Sequence, residues 1–374
     1  MRLVASGTVF DTRNAPANER SASSTAALMA ADGTLYVSFR LGTERESGDG
    51  HTALMASRDL GATWEIRYLG LHERWLDGVP GETRGFQLAE LEPGVITASV
   101  LWTDRSDPSK PWVNQATQGL LPMRNYHVTS RDGGITWSAP RPVDLPHPSA
   151  STTGPLIALP GAVLAQPFEH WKSYDDPSIG RPRALLRFSR DRGATWPDEA
   201  VVAADATNCL YYWDQRLAVH PDSGRLVAMF CTFDHEANHD VPIHIAWGSP
   251  DGRHWTTPEA TSLDGQHCQP VALGGDVLAA AYSHRRNPPG VRLALSRDFG
   301  RTWNPAEEIE VYGSGAGDEP NATGATTGKD YWNAMGAWQF GHPRAIALPY
   351  GQVFVVFYAG EGATRSARWA RVEV

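Results

Sequence analysis

Short apolar runs separated by tight turns recur along the whole chain. Residues 35–39, 226–230 and 353–357 are typical runs, rich in β-branched and aromatic side chains, which favours β-strands. A turn containing glycine precedes each of them. No helical periodicity longer than a turn or two interrupts this pattern, so the sequence predicts an all-β protein built from hairpins.

A second pattern repeats in phase with the first. The motif Ser-x-Asp-x-Gly-x-Thr-Trp begins at Ser57, Ser130, Ser189 and Ser296, and a shortened copy begins at Ser249. Its residues suit a hairpin turn, because Asp accepts hydrogen bonds from turn N–H groups, Gly adopts positive φ and Trp packs beside the strand. We therefore interpret the motif as structural and not catalytic.

Together the two patterns define a repeat unit: strand, tight turn, strand, long loop, strand, motif turn, strand. Six such units begin near Ser23, Arg84, Thr153, Arg216, Gln269 and Arg344. The sixth lacks the motif and ends at the C-terminus, and residues 8–10 supply the strand that completes it. We predict a six-bladed β-propeller of four-stranded antiparallel blades, a single domain over residues 1–374 whose ring is closed by the N-terminal strand.

The composition of the chain limits the classes of partner that we expect. The net charge of -9 argues against a nucleic-acid partner. No run approaches the roughly 18 apolar residues of a membrane span, and the N-terminus has no apolar leader segment. We expect no membrane partner and a cytoplasmic location unless a leader has been removed. Three scattered cysteines, with no C-x-x-C pair, predict neither a disulfide framework nor a zinc site, and no metal or cofactor is expected.

The repeated motif and the count of six units resemble the sialidase (neuraminidase) superfamily of β-propellers, whose Asp boxes are also called BNR repeats. The resemblance covers nearly the whole chain. It implies an exo-acting glycoside hydrolase that releases a terminal acidic or modified sugar from a glycan. Two alternatives stay open: a polysaccharide lyase on the same propeller, and a non-catalytic carbohydrate-binding propeller.

Topology indicates where a site lies. The loops after the second strands and between the units are long and differ from one another, and variable loops on a rigid scaffold usually carry function. Arginines bind carboxylates in bidentate fashion and indoles stack on sugars, so we expect an anionic glycan. The candidate substrate-binding residues are Arg40, Arg84, Arg216, Arg344, Trp102, Trp171, His170, His235, His284 and His342.

Candidate catalytic residues follow from the resemblance. Asp49 lies in the loop where sialidases place their acid/base aspartate, and Tyr331 lies near the position of their nucleophilic tyrosine, with Asp214 or Glu169 as its partner. A tyrosine activated by a carboxylate attacks an anionic sugar without repulsion between two anions. A histidine could act as acid/base instead. Each residue also has a structural interpretation: an ion pair, ring packing or a solvated loop.

Overall fold

The computed structural model describes residues 1–70, 75–147, 149–313, 335–361 and 363–374. These residues form 26 strands and three single-turn 3-10 helices, at Ala17–Glu19, Pro305–Glu307 and Pro349–Gly351. No helix in these ranges is long and apolar enough to cross a membrane.

The strands fall into successive antiparallel meanders along the chain, numbered here in chain order. In the first half they are β1 (Arg2–Phe10), β2 (Ser21–Met29), β3 (Leu35–Gly42), β4 (His51–Ser57), β5 (Glu65–Gly70), β6 (Trp75–Leu76), β7 (Val79–Glu92), β8 (Val95–Asp104), β9 (Met123–Ser130), β10 (Arg141–Pro142), β11 (Ser151–Thr152), β12 (Ile157–Leu159), β13 (Val163–His170), β14 (Arg183–Ser189) and β15 (Asp198–Ala203). In the second half they are β16 (Leu210–Val219), β17 (Leu226–Asp234), β18 (His239–Gly248), β19 (Glu259–Ala260), β20 (Gln266–Gly274), β21 (Val277–His284), β22 (Gly290–Ser296), β23 (Ile309–Gly313), β24 (Phe340–Leu348), β25 (Gln352–Glu361) and β26 (Thr364–Glu373).

Hydrogen bonding divides these strands into five sheets. Four of them follow the chain as β6–β10, β11–β15, β16–β19 and β20–β23. The fifth has eight strands: the meander β24–β26 with β1 on its outer side, and the meander β2–β5. One parallel bridge between Ser21 and Arg365 joins these two meanders, and β1 runs antiparallel along β26. The predicted all-β propeller is confirmed, but the hydrogen bonds give five sheets where six separate ones were expected, because this bridge merges two.

The repeated motif forms the same hydrogen-bonded turn in its four full copies. In the third copy Ser189 Oγ donates to Asp191 Oδ1 at 2.7 Å, and the Thr195 amide donates to the same oxygen at 2.8 Å. Gly193 has a φ of 79°, a conformation that favours glycine. The motif is therefore a local turn, as its residue types indicated.

Apolar side chains fill the spaces between neighbouring meanders rather than the middle of the ring. Phe39 of β3 shares a cluster with Phe354 of β25, and Leu186 of β14 shares one with Phe230 of β17. All four are essentially inaccessible to solvent. Because each sheet buries both faces against its neighbours, the polar ends of the inner strands remain to line the centre.

Candidate functional site

A cavity of about 150 Å³ lies at the centre of the ring. Every repeat unit supplies at least one residue to its wall from its first strand or the residue beside it, including Ser24, Arg84, Thr153, Asp214, His267 and His342. A second cavity of about 100 Å³ lies next to it, and Gln87 and Arg344 line both. These two side chains therefore stand between the two cavities.

Four of the inner strands carry the same irregularity at the cavity. The strand register shifts at a β-bulge, and inside each bulge lies a non-glycine residue with positive φ: Ser24 (50°), Asp214 (52°), His267 (50°) and His342 (48°). A bulge re-aims a side chain out of the regular alternation. The left-handed conformation costs about 1–2 kcal/mol for such residues, so backbone strain is concentrated at the cavity.

Two carboxyl groups share one part of the wall. Glu169 Oε2 accepts a hydrogen bond from the backbone N–H of Asp214 at 2.9 Å. Burial, together with the nearby charge of Asp214, raises the pKa of Glu169 to about 8. Burial also disfavours ionisation of Asp214, but His267 and Arg216 outweigh it and hold the pKa of Asp214 well below its usual range. At neutral pH one carboxyl group is thus protonated and its neighbour ionised, the combination that acid/base chemistry needs.

Two arginines meet beside these carboxyl groups. Arg216 Nη1 and Arg344 Nη2 both donate to the Thr153 carbonyl oxygen, at 2.6 and 3.0 Å. Arg216 also forms an ion pair with Asp214 at 3.2 Å, whereas Arg344 donates to the amide oxygen of Gln269 at 2.8 Å. Burial and the charge of Arg216 lower the pKa of Arg344. In the described part of the chain Arg344 has no carboxylate partner, so this wall holds a buried cation that an anion would neutralise.

Another part of the wall is an ion-pair network. Glu46 pairs with both Arg45 and Arg84, and Arg84 also pairs with Glu82 at 3.0 Å. The Arg84 guanidinium lies 4.0 Å from the ring centroid of Trp112. Arg84 is therefore held between two carboxylates and an indole face, with a cation–π contact to the latter.

Aromatic rings line the remaining side. Trp171 and Trp213 meet edge to face with centroids 5.8 Å apart, and Trp112 joins them in the wall. The indole N–H of Trp171 donates to the carbonyl of Gln118 at 2.5 Å, which ties the loop 105–122 to the loop that follows β13. His170 stacks on His147 at 4.7 Å. Indole faces of this kind suit the apolar faces of sugar rings.

Eight of the residues singled out in the sequence come together in the cavity wall. They are Arg84, Glu169, His170, Trp171, Asp214, Arg216, His342 and Arg344. Tyr331 lies outside the described residues. The other five, Arg40, Asp49, Trp102, His235 and His284, are not in the wall.

Two of these five are buried behind the wall or in the core. Arg40 is 2% exposed and pairs with Glu82 at 2.6 Å, so its charge is already neutralised within the protein. Trp102 packs among apolar residues between two sheets, because its position on β8 directs the ring away from the centre. Neither has the position expected of a sugar-binding side chain.

The other three stabilise loops at the rim. Asp49 accepts hydrogen bonds from the amide and hydroxyl of Thr43, at 3.1 and 2.6 Å, and closes its own loop. His235 stacks on Tyr211 with centroids 4.8 Å apart. His284 Nδ1 lies 3.1 Å from the carbonyl oxygen of Pro288. Each side chain has a local partner in place of a position at the cavity.

The cavity also contains residues that the sequence did not single out: Arg45, Glu46, Trp112, Trp213 and His267. One signal was available for His267, since it follows Gln266 at the start of a first strand, where Asp214 and His342 also occur. Arg45 and Glu46 were hidden among several charged residues of one loop. No group of three or more potential metal ligands occurs among the residues that the structure describes.

Comparisons with known proteins agree with this architecture. The family model for BNR repeat-like domains matches residues 109–263. No curated protein matches the chain by sequence. A protein of unknown function from Dyadobacter fermentans DSM 18053 is 18% identical with a TM-score of 0.73, and the match covers 100% of this chain and 99% of that one.

Two further structures share the fold. The Hadza microbial sialidase Hz136 is 16% identical with a TM-score of 0.65, over 99% of this chain and 68% of the sialidase. The α-L-arabinanase of Penicillium chrysogenum, complexed with arabinobiose, is 12% identical with a TM-score of 0.65, over 100% of this chain and 99% of that one. The repeated motif, the family model over residues 109–263 and the shared fold make this chain a β-propeller that is similar to BNR-repeat proteins and, in fold, to a sialidase and an arabinanase.

Proposed function

We propose that the chain is a glycoside hydrolase that removes a terminal anionic sugar from a glycan. We also propose that it is one domain of six blades, in which the eight-stranded sheet serves as two. Buried clusters between successive meanders support the second point. Structural neighbours described as a sialidase and an arabinanase support the class of reaction.

The main support for the proposal is a protonated Glu169 next to an ionised Asp214, in the same cavity as Arg344, which has no carboxylate partner among the described residues. Glycosidases commonly combine a carboxylic acid with a carboxylate. Environments that push two carboxyl pKa values apart assign the two roles. Arg344 supplies the charge that would select an anionic sugar.

In the proposed reaction Glu169 gives its proton to the glycosidic oxygen as the bond from that oxygen to the anomeric carbon breaks. Asp214 stabilises the positive charge that develops on the sugar and takes the proton of the water that adds to the anomeric carbon. Arg344 and Arg216 bind the carboxylate of the sugar, and Trp171 packs on its ring. Tyr331 remains a candidate for the nucleophile in place of water.

A panel of sialosides, uronides and rhamnosides tests the proposal, with release of reducing sugar as the readout. We expect hydrolysis of an acidic member of the panel and a loss of 10²–10⁴-fold in kcat for Glu169→Gln, the range of general acid catalysis. Glu373→Gln, an exposed carboxylate on β26, is the matched control and should keep full activity. Absence of turnover across the panel would contradict the proposal.

A polysaccharide lyase is the second candidate, favoured by two buried histidines at the cavity. Burial lowers the pKa of His267 to about 4 and that of His342 well below its usual range, so both rings are neutral at pH 7 and able to accept a proton. A lyase would remove the proton next to the sugar carboxylate and expel the glycosidic oxygen, leaving a carbon–carbon double bond. Ultraviolet absorbance of the product identifies this outcome. Binding without any product would indicate the third alternative, a carbohydrate-binding propeller.

A further inference from the structure

A chain of contacts links four residues from four different repeat units around the cavity. Asp214 Oδ2 lies 3.1 Å from His267 Nε2. The His267 ring lies against the ring of His342, with centroids 4.2 Å apart. His342 Nε2 in turn lies 3.1 Å from Arg45 Nη2.

The partners at the two ends determine where each histidine carries its proton. A guanidinium group only donates hydrogen bonds, so Nε2 of His342 must accept from Arg45 and its proton resides on Nδ1. An ionised carboxylate only accepts, so Nε2 of His267 carries the proton and donates it to Asp214. The two adjacent histidines therefore have opposite tautomers, an assignment that follows from the hydrogen-bond pattern.

Burial is the main reason that both rings stay neutral, because it lowers the pKa of each. The charge of Asp214 opposes this effect in both rings, whereas Arg285 and Arg45 reinforce it at His267, and Arg45 and Arg216 reinforce it at His342. The free nitrogen of His267, Nδ1, is buried and has no hydrogen-bond partner among the described residues. A proton there would create a buried cation beside arginines, which low-dielectric surroundings make unfavourable.

We infer that His267 is a positioning residue for Asp214. Its Nε2–H holds one carboxylate oxygen while Arg216 holds the other, at 3.2 Å, so the carboxylate is fixed in one orientation and in its ionised form. His342, fixed by Arg45, packs against His267 and keeps its ring in place. The kinetic consequence rests on the proposed function of Asp214, whereas the tautomers do not.

The first experiment needs no substrate. Long-range 1H–15N NMR spectra of the histidine rings in the full chain report which nitrogen carries the proton, and spectra of His267→Gln and His342→Gln assign the two rings by loss of their signals. We expect His267 protonated on Nε2 alone and His342 on Nδ1 alone, from pH 6 to pH 8. A charged His267 at pH 7, or the same tautomer in both rings, overturns the inference whether or not the protein is an enzyme.

The second experiment compares two variants of His267 on a hydrolysed substrate. Glutamine retains an amide N–H near the place of Nε2, whereas alanine retains no donor. We expect His267→Ala to lower kcat by about 10–100-fold, as loss of a supporting hydrogen bond typically does, with KM within about twofold, and His267→Gln to recover most of the loss.

The pH profile separates positioning from a merely structural role. Asp214 must be ionised, so kcat/KM falls as the pH drops through its pKa. Losing the hydrogen bond from His267 raises the pKa of Asp214. The acidic limb of the kcat/KM profile should therefore move to higher pH in His267→Ala and stay close to that of the wild type in His267→Gln. An unmoved limb in His267→Ala, or equal loss in both variants at equal thermal stability, overturns the inference. Absence of any turnover contradicts the proposed function alone, and the NMR result then decides the inference.

Discussion

Replacing Glu82 by glutamine removes the negative charge that Arg40, Arg84 and Arg105 share behind the cavity wall. Glu82 is fully buried, and its carboxylate accepts from all three guanidinium groups. The amide has nearly the same size, so the change deletes charge without leaving a hole. Arg84 keeps Glu46 as a partner, but Arg40 and Arg105 have no other ion pair in the described residues.

The size of the effect follows from the carboxyl group itself. Burial works against ionisation, yet the three arginines lower the pKa of Glu82 from its ordinary value to about 2. Starting from 4.5, this corresponds to a preference of about 3 kcal/mol for the ionised form over a neutral one, at about 1.36 kcal/mol per pH unit. Breaking a buried ion pair costs a similar amount, about 3–5 kcal/mol. With an unfolding entropy of about 2.1 cal/mol/K per residue, a loss of about 3 kcal/mol over 374 residues lowers Tm by about 4 °C.

Thermal unfolding followed by circular dichroism at pH 7 measures this change. The matched control is Glu373→Gln, whose partner Arg2 is also lost but whose side chain is 49% exposed. Exposed pairs contribute about 0–1 kcal/mol, so the control should stay within about 1 °C of the wild type. A Glu82→Gln protein as stable as the control would refute the reasoning, because the three arginines would then not depend on that charge.

Three further predictions concern the cavity. Activity of the wild type should fall as the pH rises through about 8, because Glu169 then loses the proton it donates, and a pH–rate profile without that limb contradicts the assignment. Arg344→Met should weaken the binding of an anionic sugar at least about tenfold, as measured by calorimetry. Tm should stay unchanged or rise, because the substitution removes a buried cation that has no carboxylate partner in the described residues. A lower Tm would contradict this interpretation of Arg344. Ser24→Gly should raise the free energy of unfolding by up to about 1 kcal/mol in urea titrations, because it relieves a left-handed residue, whereas Ser23→Gly, at a neighbour without positive φ, should lower it.

The fold could be predicted because its signals are local. The turn around Asp191 needs only residues within one motif, and its hydrogen bonds to Ser189 and Thr195 are those that the residue types suggest. The division of the strands into sheets was harder to predict from the sequence. The bridge between Ser21 and Arg365 joins residues from the two ends of the chain. No local sequence pattern predicts such a contact.

The sequence indicated which loops and strands surround the candidate site, but not which individual side chains line the cavity. Arg40 and Arg344 look alike in the sequence, each beside an apolar strand, yet Arg40 is paired with Glu82 and Arg344 has no carboxylate partner in the described part of the chain. That difference depends on residues far away in sequence. Trp102, which was predicted to bind substrate, lies outside the cavity wall, and the sequence could not reveal this because strand alternation tells which residues share a face but not which face meets the centre.

The left-handed bulges have a consequence for the evolution of such a protein. The same backbone conformation presents a hydroxyl at Ser24, a carboxylate at Asp214 and imidazoles at His267 and His342. Because the main chain sets the direction of each side chain, exchanging one residue type for another at these places alters the chemistry of the centre and leaves the surrounding sheets as they were. The four bulge positions are thus structurally equivalent, and a single substitution at one of them can change specificity without any rebuilding of the loops.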